Sequence, residues 1–117
     1  MSKKKKPNID LIEGYDNILM IDDVRSIERG LIARDFDTAI RVLGNMPRFD
    51  CVYLDFNYRN EASINPKTGY DILLWLEENP EKAPRHVKLI TSNNRGRMEM
   101  RTILDRLEKR GLLEGHS

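Results

Sequence analysis

Two short apolar runs, each ending in acid, constrain this chain more than any other feature. ILMI (Ile18–Ile21) is followed by Asp22 and Asp23, and CVYL (Cys51–Leu54) is followed by Asp55. Four-residue aliphatic runs are too short for buried helices and read as strands. Neither alternates with polar residues, so each needs cover on both faces, the situation of a parallel sheet. An apolar strand that finishes in like charges is costly unless something at its tip uses them.

The rest of the chain supplies the elements such a sheet requires. Residues 31–36 read as a second strand, with Leu31, Ala33 and Asp35 sharing a face. Asp37 is the predicted N-cap of a short helix over 38–43, with Ala39, Ile40 and Leu43 inward; Gly44 and Asn45 end it and Pro47 prevents its return. Residues 56–69 form a long polar stretch, and a loop of that length in a small domain is usually functional or mobile. Thr68 caps a helix over 70–79, whose wide apolar arc predicts deep packing. Residues 87–90 read as another strand. A last helix runs over 96–110, with Met100, Ile103, Leu104 and Leu107 at helical spacing and Gly111 as its C-cap. Repeated strand–helix–strand units give an α/β domain with a parallel sheet.

Bulk properties narrow the function classes. A length of 117 residues suits one domain, and a net charge of +1 rules out a strong overall field, so nucleic-acid binding requires a local patch. The single cysteine, Cys51, excludes an internal disulfide and fits a reducing, cytoplasmic setting. No apolar run approaches the ~20 residues of a membrane helix, and Met1 opens no secretory signal. Residues 1–8, with Lys3 to Lys6, read as a disordered basic tail preceding a single domain over 9–117. A contact between those lysines and a phosphate backbone is the alternative.

Ligands of parallel α/β sheets bind beyond the carboxyl ends of the strands, near the point where strand order reverses. If the first and third strands are neighbours, Asp22, Asp23 and Asp55 converge there. Magnesium, or manganese, takes oxygen ligands of this kind and relieves the repulsion among them. Thr91 and Ser92 end the fourth strand at the same edge, where a hydroxyl can donate to a phosphate oxygen. Backbone amides near Gly96, at the start of the last helix, add an anion site. The simpler alternative for the acidic pair is that both residues cap the following turn. Arg95, Arg97 and Arg101 form a basic cluster that suits an anionic ligand such as RNA, or else pairs with Glu99 and Asp105. His86 and His116 read as incidental, Tyr70 and Trp75 as core, and Cys51 as an inert apolar residue. Met98 and Met100 suit core packing or a homodimer surface.

With these residues assembled, the chain resembles the receiver fold of response regulators, and more closely the cyclic-phosphate processing receiver domains. The matching pieces are MIDDVR (20–25), DTAIRVL (37–43), LDFN (54–57), TGYDILLWLEE (68–78) and TSNNRGRMEM (91–100), spanning roughly 17–104. The TGYD turn and Gly96, Arg97 and Met100 are the most specific. The resemblance implies a receiver-like, flavodoxin-like three-layer fold with a short central parallel sheet, truncated relative to a full receiver. It implies metal binding by Asp22, Asp23 and Asp55, with Asn57 contributing its carbonyl, and phosphate contact by Thr91, Asn93 and Arg97. The implied activity is metal-dependent processing of cyclic phosphate ends of RNA or nucleotides, with Asp55, Thr91 and Arg97 central.

The chain departs from that pattern in ways that matter. Phe56 and Ile90 stand where the family usually has histidines, and Asn94 where it has a proline. Losing two proton-transfer groups removes about 10²–10⁴-fold each, so a catalytically inactive module binding a protein partner or a phosphate ligand is the second expectation. RNA binding through the lysine tail and Arg95, Arg97 and Arg101 is the third. Relay phosphorylation of Asp55 is chemically allowed. Full receivers, however, carry a lysine after a fifth strand, and only Leu112 and Leu113 offer themselves for such a strand here.

Overall fold

The computed structural model describes residues 9–58 and 66–117. The predicted basic tail, residues 1–8, and residues 59–65 of the predicted loop lie outside the described residues. The elements follow in the order β1 (Ile18–Ile21), β2 (Leu31–Ala33), α1 (Phe36–Asn45), β3 (Cys51–Leu54), α2 (Gly69–Glu78), a 3-10 turn (Pro80–Lys82), β4 (His86–Leu89), α3 (Asn94–Lys109) and β5 (Gly115–His116). The strands form one parallel sheet in the order β2-β1-β3-β4-β5. Strand order therefore reverses between β1 and β3, the two runs that end in acid.

The sheet obeys the period of two along its central strands. Leu19, Ile21, Val52, Leu54, Val87 and Leu89 face one way and join Ala39 and Leu43 of α1, Ile72, Leu73 and Leu76 of α2, and Met100, Ile103, Leu104 and Leu107 of α3. Each such buried aliphatic contributes on the order of 2 kcal/mol. Ile18, Met20, Cys51 and Tyr53 face the other way, and no helix meets them among the described residues. Ile27 from the β1–β2 connection packs there, with Ile9, Leu11, Ile12, Tyr15, Ile32 and Ile90 around it. The third layer of the expected fold is thus irregular chain. Its backbone is tied down by side-chain acceptors such as the Tyr53 hydroxyl, which receives the Ile12 amide at 2.7 Å.

Several local expectations need correction. β2 is three residues long, and the helix after it is capped by Asp35, not Asp37. The Asp35 carboxylate accepts the Thr38 amide at 2.8 Å, and that bond holds its pKa below the ordinary value. Leu31 is exposed, whereas Ala33, two residues on, is buried. α3 begins at Asn94 because Asn93 caps it, and it ends against Arg110, with Gly111 just beyond at φ +74°. Thr68 caps α2 as expected, in a reciprocal box with Asp71.

The largest difference is the fifth strand. Leu113 is a buried core residue, and Gly115 and His116 pair with β4. Backbone bonds hold this strand: the Glu114 amide to the Arg85 carbonyl at 2.7 Å, Ser117 to Val87 at 3.0 Å, and Leu89 to Ser117 at 2.8 Å. Among the described residues, no helix is long and apolar enough to cross a membrane.

Candidate functional site at the carboxyl edge of the sheet

Strand register brings the acids together. Ile21 pairs with Leu54, and the ladder continues one residue further as the Asp55 amide donates to the Ile21 carbonyl at 2.9 Å. Asp22 and Asp55 therefore lie side by side at the reversal point. One ligand oxygen from each of Asp22, Asp23 and Asp55 falls within 4.8 Å of the others, and all three residues are buried.

Each carboxylate is held differently. Asp22 is fully buried. Its Oδ1 accepts the amides of Val24 and Arg25, both at 2.8 Å, so the turn-capping role is realised for this residue. Its Oδ2 meets Arg25 Nη1 at 2.8 Å. Asp55 uses Oδ1 to accept the Phe56 amide at 2.8 Å, and its Oδ2 lies 3.7 Å from the same Arg25 Nη1. Burial, first, and the neighbouring Asp22 charge, second, push the Asp55 pKa up; the Phe56 amide, the Thr91 hydroxyl and Arg25 oppose them. The loop that carries Arg25 is itself pinned. Arg34 Nη1 donates to the Asp22 carbonyl at 3.2 Å and to the Arg25 carbonyl at 2.6 Å.

A pocket of about 160 Å³ opens against this cluster, lined by Asp23, Val24, Arg25, Asp55, Asn57, Thr91, Ser92 and Asn93. Its lining combines two of the carboxylates with hydroxyl and amide side chains. Thr91 is buried, and its Oγ1 accepts the Asn93 amide at 3.1 Å. Ser92 and Asn57 are exposed at the rim.

Gly96 and Arg97 do not line the pocket. The Gly96 amide is taken by Asn93 Oδ1 at 2.9 Å, as the cap of α3. The space where a Gly96 side chain would stand is filled by Phe56, whose ring carbons lie 2.4–2.7 Å from an ideal Cβ position. Glycine is needed there to seat that ring, not to admit a ligand. Arg97 is half-buried, and its Nη2 donates to the Thr91 carbonyl at 2.6 Å, which fixes the β4–α3 connection. Arg95 and Arg101 are exposed, and Met98 is 69% exposed while Met100 is core.

Neither histidine approaches the site. His86 opens β4 at the opposite edge, stacked on Tyr15, with Nε2 3.1 Å from Ser117 Oγ. His116 contacts Asp105 at 3.0 Å. Burial and the nearby positive groups, His116 before Lys88, depress the His86 pKa. Burial raises the Cys51 thiol to about 12, which keeps it protonated and unreactive. Arg25 was not singled out from sequence, where it is one of 20 basic residues. Its position three residues after Asp22, on a turn that Asp22 caps, is the signal that could have found it.

The donor set suits a hard divalent cation. Three carboxylates of buried residues converge, with one oxygen of each within 4.8 Å of the others, and hard divalent cations take carboxylate oxygens. Compared with known proteins, residues 17–106 match the profile of a family described as Cyclic-phosphate processing Receiver domain. Comparison with curated proteins and with solved structures gives no match.

Proposed function

The chain belongs to the cyclic-phosphate processing receiver domain family, and from that premise we propose that it is a divalent-metal-dependent phosphoester-processing domain acting on cyclic phosphate ends of RNA or nucleotides. Asp22, Asp23 and Asp55 hold magnesium or manganese, with Asn57 beside them. A divalent cation held there supplies charge compensation for phosphoryl oxygens and a lowered pKa for water. Thr91, Ser92 and Asn93, which line the same pocket, orient the phosphate by hydrogen bonding. Arg97 is a positioning residue, acting through the Thr91 carbonyl it holds. The observation that carries this reading is the convergence of three carboxylates at the reversal point, beside a pocket also lined by hydroxyl and amide side chains.

The test is incubation of the full chain with an oligonucleotide ending in a 2′,3′-cyclic phosphate, followed by phosphorus NMR. Opening to a monoester that requires magnesium or manganese, and that is lost in Asp55→Ala, supports the reading.

A second reading has its own observation. The two places where the family usually carries histidines hold Phe56, packed on Gly96, and Ile90, packed against the irregular face. Neither side chain transfers protons. Binding of magnesium and phosphate without any opening of the cyclic ester makes the chain a binding module of the same fold.

A further inference from the structure

We propose that Arg25 is the resident counter-ion of the acidic cluster, that a divalent cation displaces its guanidinium from Asp22 and Asp55, and that the released guanidinium then grips the phosphate in the same pocket. The inference rests on the metal-binding reading above and adds to it a residue whose task changes with occupancy.

Four observations converge on Arg25. Its Nη1 stands 2.8 Å from Asp22 Oδ2 and 3.7 Å from Asp55 Oδ2, between two of the three carboxylates a cation must use. Both side chains are nearly inaccessible, 0% and 9% exposed, so two charges of one sign cannot sit there without a positive partner. One monovalent guanidinium serves two carboxylates incompletely, and a doubly charged ion competes for the same oxygens on better terms.

The third observation is the unused part of the guanidinium. Among the described residues its hydrogen bonding runs through Nη1 alone, to Asp22. The side chain keeps 27% of its surface exposed, and Arg25 lines the pocket with Thr91, Ser92 and Asn93. A planar fork with free N–H groups beside such donors suits phosphate, which arginine binds in bidentate fashion.

The fourth observation is that only the side chain needs to move. The Arg25 amide is fixed by Asp22 Oδ1 at 2.8 Å and its carbonyl by Arg34 Nη1 at 2.6 Å. Rotation about the side-chain bonds carries the guanidinium from the carboxylates toward the pocket while the backbone stays in place. Metal and phosphate thereby bind cooperatively: the first frees the group that the second uses, and the coupling is reciprocal.

Calorimetric titrations of the full chain with magnesium chloride alone, and then with inorganic phosphate in saturating magnesium, test this on wild type, Arg25→Gln and Arg25→Lys. Arg25→Gln is expected to bind magnesium about tenfold more tightly than wild type and phosphate about tenfold more weakly. Arg25→Lys keeps the charge without the fork, so it is expected to bind magnesium as wild type does and phosphate more weakly. A residue with a merely structural role would weaken both ligands together, and that result overturns the proposal. Equal magnesium affinities in wild type and Arg25→Gln also overturn it, while leaving the metal site standing. Absence of magnesium binding in wild type and both variants overturns the metal reading and this inference with it. If Arg25→Gln does not fold, the arginine side-chain N–H signal of wild type, assigned by its loss in Arg25→Lys, decides the matter. The signal is expected to shift on adding magnesium, and an unmoved signal overturns the proposal.

Discussion

Asp50 and Asp55 bracket the four residues of β3, one just before it and one just after. Asp50, at the amino edge, accepts the amides of Asn17 at 3.0 Å and Asp16 at 3.1 Å, and Arg85 stands 3.6 Å away. The Asn17 amide bond, the largest influence, the Asp16 amide and Arg85 hold its pKa below the ordinary carboxylate value, against burial. Asp55, at the carboxyl edge, is buried beside a second carboxylate, and its pKa is raised. One strand therefore ends in a charge the fold satisfies and a charge the fold tolerates. The amino edge uses its ions to fasten loops, whereas the carboxyl edge keeps an imbalance that a cation would correct.

The two edges also differ in how tightly the chain packs on them. An ideal Cβ at Gly69 would stand 2.3 Å from the Asp55 carbonyl oxygen and 2.8 Å from Met100 Sδ, whereas at Gly115 the nearest atom is His86 Nδ1 at 3.5 Å. Gly69→Ala is expected to cost about 3 kcal/mol in urea unfolding, because backbone is slow to yield. Gly115→Ala, at the amino edge, is expected to change stability by less than about 0.5 kcal/mol. Comparable losses at both positions would remove the claim that α2 is packed tightly onto the acidic end of β3.

Neutralising the two aspartates sharpens the contrast electrostatically. Asp50→Asn is expected to destabilise by about 1 kcal/mol through weakened bonds from two amides and Arg85. Asp55→Asn, measured without divalent ions, is expected to be neutral or stabilising, since it removes a buried like charge from beside Asp22. Equal destabilisation by both would show that Asp55 is as well satisfied as Asp50.

A smaller effect appears in the pH dependence of the same variants. The depressed Asp50 value makes its contribution full above the ordinary carboxylate pKa and lost as pH falls through the folded-state value. The raised Asp55 value works in the opposite sense: its contribution is full below the ordinary pKa and lost as pH rises through the folded-state value. Stability differences from wild type should therefore fade in acid for both variants, with opposite signs. The Asp55 difference should begin to fade at the higher pH. Denaturant melts at a series of pH values check this, and differences of the same sign would contradict it.

What the sequence made legible follows the same division. β1 and β3 were readable because a continuous aliphatic run leaves few alternatives, and their acidic tips followed from strand polarity. Thr68 was readable because a hydroxyl before an apolar helical arc has one common use. Asp35 and Asp37 were not separable by composition, since either can cap; the choice rests on β2 ending at Ala33, a tertiary fact. β5 carried no apolar signal in residues 114–117, because its hold on β4 is backbone hydrogen bonding, which any sequence can supply. The irregular cover over Met20 and Tyr53 was hidden for a related reason: burial on two faces demands cover but does not say that cover must be helical. At the site, residue types alone could not show that Arg97 serves the Thr91 carbonyl while Arg25 meets the acids. That assignment depends on which loop carries each arginine to the edge.

On the function proposed above, a divalent cation occupies the carboxyl edge of β1 and β3. Crystals of the protein soaked in manganese chloride, with anomalous data collected at the manganese edge, test it most directly. One strong anomalous peak is expected within bonding distance of the Asp22, Asp23 and Asp55 carboxylates, with the Arg25 guanidinium moved off Asp55. Density showing no peak at that edge, and Arg25 still seated between Asp22 and Asp55, would contradict it.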